Sequence, residues 1–187
     1  MLKKLFKINQ GEGLPTLILF FHFFAFVAIS ITGGAARDAY FLNMVDKKYL
    51  PLMFLAVAIV LFIVIEIYSR LSKNKDLSTI VSGTGVIFIA TLFVIQKNLE
   101  GWVIPFLYVW KEVIDAIIIT QFWLIASQVF DPRQAKRLFG LLGAGGALAA
   151  FIIGSSIKQF VSIFGSENLL FATMSFLLVV ILMANLI

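Results

Sequence analysis

The residues best placed to do chemistry are three ionisable side chains inside an otherwise apolar run, Lys111, Glu112 and Asp115, within Trp102 to Phe130. At about 100° per residue a helix places them within an arc of about 100°, with Tyr108 and Phe122 on the same stripe, so all three face one direction. Each costs about 2.5–3.5 kcal/mol at the centre of a membrane helix even on the lenient insertion scale. Three together therefore predict a protein-lined or water-filled cavity facing that arc. Lys111 and Asp115, four residues apart, could neutralise one another and serve packing alone, but this leaves Glu112 uncompensated. Glu112 is then the candidate to couple to a proton, or to contact a cationic or hydrogen-bonding group of a substrate.

A second group lies upstream. If the first helix continues through Arg37, then His22, Ser30, Gly33 and Arg37 line one side of it. The planar, permanently charged guanidinium of Arg37 suits a phosphate or carboxylate at a cavity mouth. Its alternative is to snorkel to the interface beside Asp38. For His22 a hydrogen bond between helices is the expected role.

The elements that must position these groups follow from composition. The chain has 187 residues, of which 61% are hydrophobic and 13% charged, and mean hydropathy is +1.02. Soluble domains carry roughly 25% charge. Most of this chain therefore belongs in lipid, where backbone groups must be satisfied within helices. The expected fold is all-α: one polytopic membrane domain over 1–187, with six transmembrane helices near 14–34, 50–68, 77–95, 102–130, 138–157 and 169–187. The fourth is long, enough for roughly 40 Å at 1.5 Å per residue. The sixth ends at Ile187 with no polar tail, which suggests a truncated chain. No cysteine is present and only one histidine, which excludes disulfides, thiolate metal sites and a histidine metal cluster. No metal and no cofactor are expected.

The net charge of +5 speaks to orientation before it speaks to nucleic acid, and no nucleic-acid partner is expected. Lys3, Lys4 and Lys7 precede the first span, Arg70, Lys73 and Lys75 follow the second, and Arg133, Lys136 and Arg137 follow the fourth. The other side holds fewer: Arg37, Lys47, Lys48, Lys97 and Lys158. This bias places the N-terminus in the cytoplasm and the chain in the inner membrane. Residues 1–13 read as a leader that stays attached, since the following segment is too long for a signal-peptide core and lacks a clear cleavage site.

Between the fourth and fifth spans, Asp131-Pro132-Arg133-Gln134 offers an N-cap acceptor, a proline at the first helical position and a glutamine at N3. A helix should start at Pro132, with Arg133, Lys136 and Arg137 sharing a face at the membrane surface. Further on, Gly140, Gly143, Ala147, Ala150 and Gly154 form a seam of small residues on which another helix can pack. The glycine-rich text around them is not preceded by a strand or followed by Gly-Lys-Ser/Thr, as a phosphate loop would be. Glu66 and Arg70 pair at i, i+4 where the second span ends.

Taken together, Arg37-Asp38-Ala39-Tyr40-Phe41-Leu42, Glu112, Phe122-Trp123 and the run Asp131 to Gly140 resemble the ATP/ADP translocase family of plastids and obligate intracellular bacteria, and a broader set of bacterial relatives. The resemblance extends from the first span through the fifth. It implies a major-facilitator-like carrier of twelve helices, of which this chain would be the first half, and nucleotide binding and ATP:ADP antiport rather than enzymatic catalysis. It also implies that a basic residue after the first span and an acidic residue in the fourth matter, here Arg37 and Glu112. The family carries two basic residues in a Lys-Asp-Thr-Lys-Asp-like segment, whereas the upstream position here is Gly34. One cation is retained there, which suits an organic anion more broadly than a triphosphate.

The function expected is transmembrane transport of an anionic metabolite, a nucleotide foremost, by alternating access in three-helix inverted repeats. Arg37, Lys111, Glu112, Asp115 and Tyr108 are the expected substrate contacts, with the bilayer and a second six-helix half, fused or separate, as partners. Two alternatives stand beside it: a proton-coupled carrier of another metabolite or lipid, and a non-transporting membrane scaffold.

Overall fold

The computed structural model describes residues 11–73 and 75–186, so the leader cations Lys3, Lys4 and Lys7 lie outside the described residues. Those described form six α-helices joined by short turns, with no strand among them. The helices are α1 Gly13–Met44, α2 Leu50–Ser72, α3 Leu77–Lys97, α4 Val103–Val129, α5 Pro132–Phe164 and α6 Leu169–Ala184. Five of them are long and apolar enough to cross a membrane, in support of a multi-pass membrane protein, and α4 with its three charges is the exception.

Local signals account for the boundaries. Asp131 accepts from the backbone N–H of Arg133 at 2.8 Å and of Gln134 at 2.9 Å, while Gln134 Oε1 accepts from Asp131 N at 3.0 Å. This is the expected reciprocal cap, and α5 starts at Pro132. Asp76 caps α3 through Thr79 N, and with Ser78 Oγ at 2.6 Å its carboxyl is held below the usual carboxylate range, chiefly by the serine bond. Two helices outrun expectation. α1 continues ten residues past Gly34, as the pairing of Arg37 requires, and α5, from its expected start at Pro132, has 33 residues, roughly 50 Å, and runs past the expected end near Ile157.

The core lies where α1 meets α4, α5 and α6, and where α4 meets α2 and α3 behind it. α3 and α6 pack on one another. The same main pairs of helices meet when α1, α2 and α3 are exchanged for α4, α5 and α6, although α1 packs far more extensively on α5 and α6 than α4 does on α2 and α3. α2 buries none of its residues, and Phe54, Ile59, Phe62 and Leu71 point outward, as a lipid-facing helix demands.

The expected small-residue seam lies on a different face of α5 from the packing. Gly140, Gly143 and Gly154 have open space where a Cβ would stand, and Ala147 and Ala150 are exposed. α1 packs instead on Leu138, Leu142, Gly145, Gly146 and Ala149. A Cβ on Gly145 would come within 2.6 Å of the Phe20 carbonyl oxygen, and one on Gly146 within 2.6 Å of the Phe23 ring. Spacing alone chose the wrong stripe because two adjacent faces of α5 are both rich in small residues.

Candidate functional site

α1 and α4 run antiparallel, and their facing residues pair in order: Phe41 with Tyr108, Arg37 with Glu112, Gly33 with Lys111, Ser30 with Asp115, and Phe23 and His22 with Phe122. The four α1 residues expected on one side, His22, Ser30, Gly33 and Arg37, do share the face toward α4. The arc of α4 charges thus faces α1.

Lys111 and Asp115 form the i, i+4 pair, with Nζ 2.6 Å from Oδ2, and their side chains are 4% and 18% exposed. Ser30 Oγ donates to the same Oδ2 at 2.8 Å, tying the pair to α1. Oδ1 of Asp115 has no hydrogen-bond partner among the described residues. The Lys111 stem crosses α1 at Gly33, where a Cβ would come 2.7 Å from Lys111 Cε, so a side chain there would displace the stem from its present path. A Cβ on Gly34 would lie 3.9 Å from Lys111 Nζ. Beside this crossing the hydroxyls of Thr32 and Thr173 bond at 2.9 Å, linking α1 to α6.

About one helical turn nearer the C-terminal end of α1, Arg37 bridges two carboxylates. Its Nη1 donates to Glu112, and its Nη2 lies 2.8 Å from Asp38 Oδ1. The guanidinium carbon rests 4.5 Å from the centre of the Tyr108 ring, itself buried against Phe41. Glu112, uncompensated by local spacing, is compensated here from α1. Both acids of α4 therefore have a cation, and Lys111 with Asp115 can serve packing without leaving Glu112 unpaired. Arg37 does pair with Asp38, as the snorkelling alternative holds, yet it turns inward to α4 as well.

Tyr108 and Lys111 are buried, whereas the Glu112 side chain is 32% exposed. The approachable groups of the cluster are therefore Glu112, Asp38 and the edge of Arg37. Below them the seam turns apolar. Phe23, Phe26, Phe122, Trp123 and Phe139 form a continuous aromatic group from α1, α4 and α5. His22 is enclosed there, and neither ring nitrogen has a partner among the described residues, contrary to the expected interhelical hydrogen bond.

Further tertiary bonds were not anticipated. Gln121 Nε2 donates to Thr84 Oγ1 at 2.8 Å and Trp110 Nε1 to Thr91 Oγ1 at 2.9 Å, both joining α4 to α3. Arg137 leaves the expected surface face and pairs with Glu12 at 2.6 Å, while Arg133 and Lys136 are exposed. The signal for the last was Glu12 itself, an acid at the entry to an apolar span. Among the described residues no group of three histidine, cysteine or acidic side chains could hold a metal ion.

A cluster of paired charges between two apolar helices is what comparison with other proteins then bears on. Over 62 residues the chain is 34% identical to "ADP,ATP carrier protein 3" of Rickettsia felis and, to the same degree, of Rickettsia prowazekii. The relatives it resembles are ADP,ATP carriers. The similar stretch amounts to 33% of this chain but only 12% of each carrier's length. The carrier of the same name from Rickettsia bellii is 31% identical over 65 residues, 13% of its length. No family model matches the chain, and no solved structure matches it. The likeness to these carriers supports membrane transport as the class of function.

Proposed function

We propose that this chain is one six-helix half of a major-facilitator-like carrier that moves an anionic metabolite, a nucleotide foremost, across the inner membrane by alternating access, with its N-terminus in the cytoplasm. The observation that carries the proposal is the α1–α4 seam. Five charged groups, Arg37, Asp38, Lys111, Glu112 and Asp115, are held within two neighbouring helices, and buried charge in a membrane helix marks a pathway by default. α4 crosses as the sixth span because α1 covers its charges. The exchange symmetry of the packing, α1 with α5 and α6 against α4 with α2 and α3, is what paired three-helix repeats would produce.

Substrate contacts are assigned to Arg37, Glu112, Lys111, Asp115 and Tyr108. Arg37 binds the anionic group when Glu112 or Asp38 releases it, with Tyr108 as the platform beneath. Lys111, beside position 34, supplies from α4 a cation close to where the resembling family carries its second one. The five charges sum to one net negative, so a polyanion needs further cations from a second six-helix half, fused or separate. Nucleotide transport also rests on the name of the partly similar carriers.

The test is uptake by proteoliposomes of the full-length protein. Saturable exchange of ATP for ADP, lost in Arg37→Gln and Glu112→Gln, is expected; no saturable exchange in wild type and variants alike overturns the nucleotide assignment. A second reading, a non-transporting scaffold, is favoured by the pairing of both cations and all three acids. Thermal unfolding in detergent separates the two. A carrier gains stability with substrate as RT ln(1 + [L]/Kd), whereas a scaffold is indifferent to anions and is destabilised by Glu112→Gln. A proton-coupled carrier, to which the unpartnered Asp115 oxygen would suit, predicts uptake of a different solute that collapses with the pH gradient.

A further inference from the structure

One cavity lies away from the charged seam. It is an open groove of about 890 Å³ between the last turns of α3 and the first turns of α4, at the end of the molecule opposite Gly13. Ligand sites commonly occupy about 300–1,000 Å³. We propose that this groove holds one phospholipid with a primary-ammonium headgroup, its phosphate at Lys97, its ammonium at Glu100 and the upper part of an acyl chain between the helices.

The lining carries the argument. Along α3 the wall runs from Ala90 to Lys97, a rise of roughly 10 Å along the helix, and it passes from apolar at one end to polar at the mouth. Thr91 is a polar side chain in the deep part, and its hydroxyl is already engaged. It donates to the Phe88 carbonyl at 3.0 Å and accepts from Trp110 at 2.9 Å. The depth therefore offers a guest apolar surface, with Phe106 stacked parallel on Trp110 at 5.8 Å as one wall. That suits a hydrocarbon chain and not a polar metabolite.

The lip is different. Lys97, the last residue of α3, and Glu100, in the turn that follows it, both line the groove and are exposed, and neither forms an ion pair among the described residues. One cation and one anion beside an apolar slot are the complement of a zwitterionic headgroup on an acyl chain. Glu100 selects a primary ammonium over a quaternary one because only the former donates charge-assisted hydrogen bonds. Trp102, 76% exposed at the same mouth, sits where an amphipathic indole marks the headgroup level.

The experiment uses the full-length protein with every tryptophan except Trp110 replaced by phenylalanine, Trp102 and Trp123 among them, leaving Trp110 as reporter beneath Phe106. It is placed in phosphatidylcholine nanodiscs doped, at equal fraction, with phosphatidylethanolamine or phosphatidylglycerol brominated in the upper acyl chain. Stronger quenching of Trp110 by the ethanolamine lipid is expected, with the difference lost in Glu100→Gln and quenching by both lipids reduced in Ala90→Phe, which fills the slot. Equal quenching by the two lipids, or quenching that ignores Ala90→Phe in a protein whose thermal unfolding is unchanged, overturns the proposal and leaves only the ordinary lipid boundary. Absence of quenching by either lipid overturns it too, and points to a protein segment in the groove.

Discussion

α1 meets α5 and α4 by opposite means. Toward α5 the contact is made by removing side chains: Gly145 brings the helix backbone against the Phe20 carbonyl, and Gly146 receives the Phe23 ring. Toward α4 the contact is made by adding charge: Arg37 reaches Glu112, Lys111 reaches across Gly33, and Asp115 gathers Lys111 and Ser30. The first kind of interface has one close-packed arrangement and gains through dispersion over many contacts. The second has alternatives, because each carboxylate and each cation can trade its partner for water, a proton or a substrate group. A helix with one face of each kind can stay docked to α5 while its other face changes partners.

The largest effect should come from splitting the buried pair. Lys111→Met leaves Asp115 without its cation and should cost about 3–5 kcal/mol, much of it recovered in Lys111→Met/Asp115→Leu, as read from thermal unfolding in detergent. An unchanged midpoint in the single variant would mean that the charged face is not structural, and the contrast would fail. Next comes the glycine face. Gly145→Ala drives a methyl group into a backbone oxygen and should cost about 1–3 kcal/mol, while Gly143→Ala, with open space around it, should be neutral or stabilising by about 0.5–1 kcal/mol. Equal responses from the two would erase the distinction between the buried and the outward stripe of α5.

Smaller effects test whether polar bonds outside the seam matter as much. Asp131→Ala removes the cap of α5 and should cost about 0.5–2 kcal/mol in the same assay. Asp76 is the weakest case, being fully exposed. Its carboxyl sits below the ordinary value of about 3.9, so its contribution is present above that value and is lost as pH falls through the lowered one. Asp76→Asn should therefore lower stability slightly at neutral pH and leave it unchanged in strong acid, flattening the acid side of the curve. If either surface cap rivalled Lys111→Met, the seam would hold no special place.

Much of the helical frame was legible in the linear text. The cap at Asp131 and the apolar runs are local features, and local physics places them within a few residues. The α4 charges were legible as a shared arc for the same reason. Their partners were not. Arg37 and Glu112 are 75 residues apart and Ser30 and Asp115 are 85, and no periodicity reports which helix lies opposite. The small-residue seam failed similarly, since α5 carries glycine and alanine on two faces and only docking chooses between them. His22 shows the converse case: a polar residue on the right face that meets an aromatic ring where a hydrogen bond was expected.

By itself the sequence determined that this protein is helical and apolar, where its helices start, and that α4 aims Lys111, Glu112 and Asp115 in one direction. Those properties follow from backbone hydrogen bonding, residue propensity and the helical repeat, all of which act over a few residues. The tertiary structure decided that the charges face α1 and are paired, that Gly145 and not Gly143 is the contact, and that a groove opens between α3 and α4. Each of these depends on which helices become neighbours. That choice is made by burial and charge compensation summed over the whole bundle, and no short stretch of chain carries it.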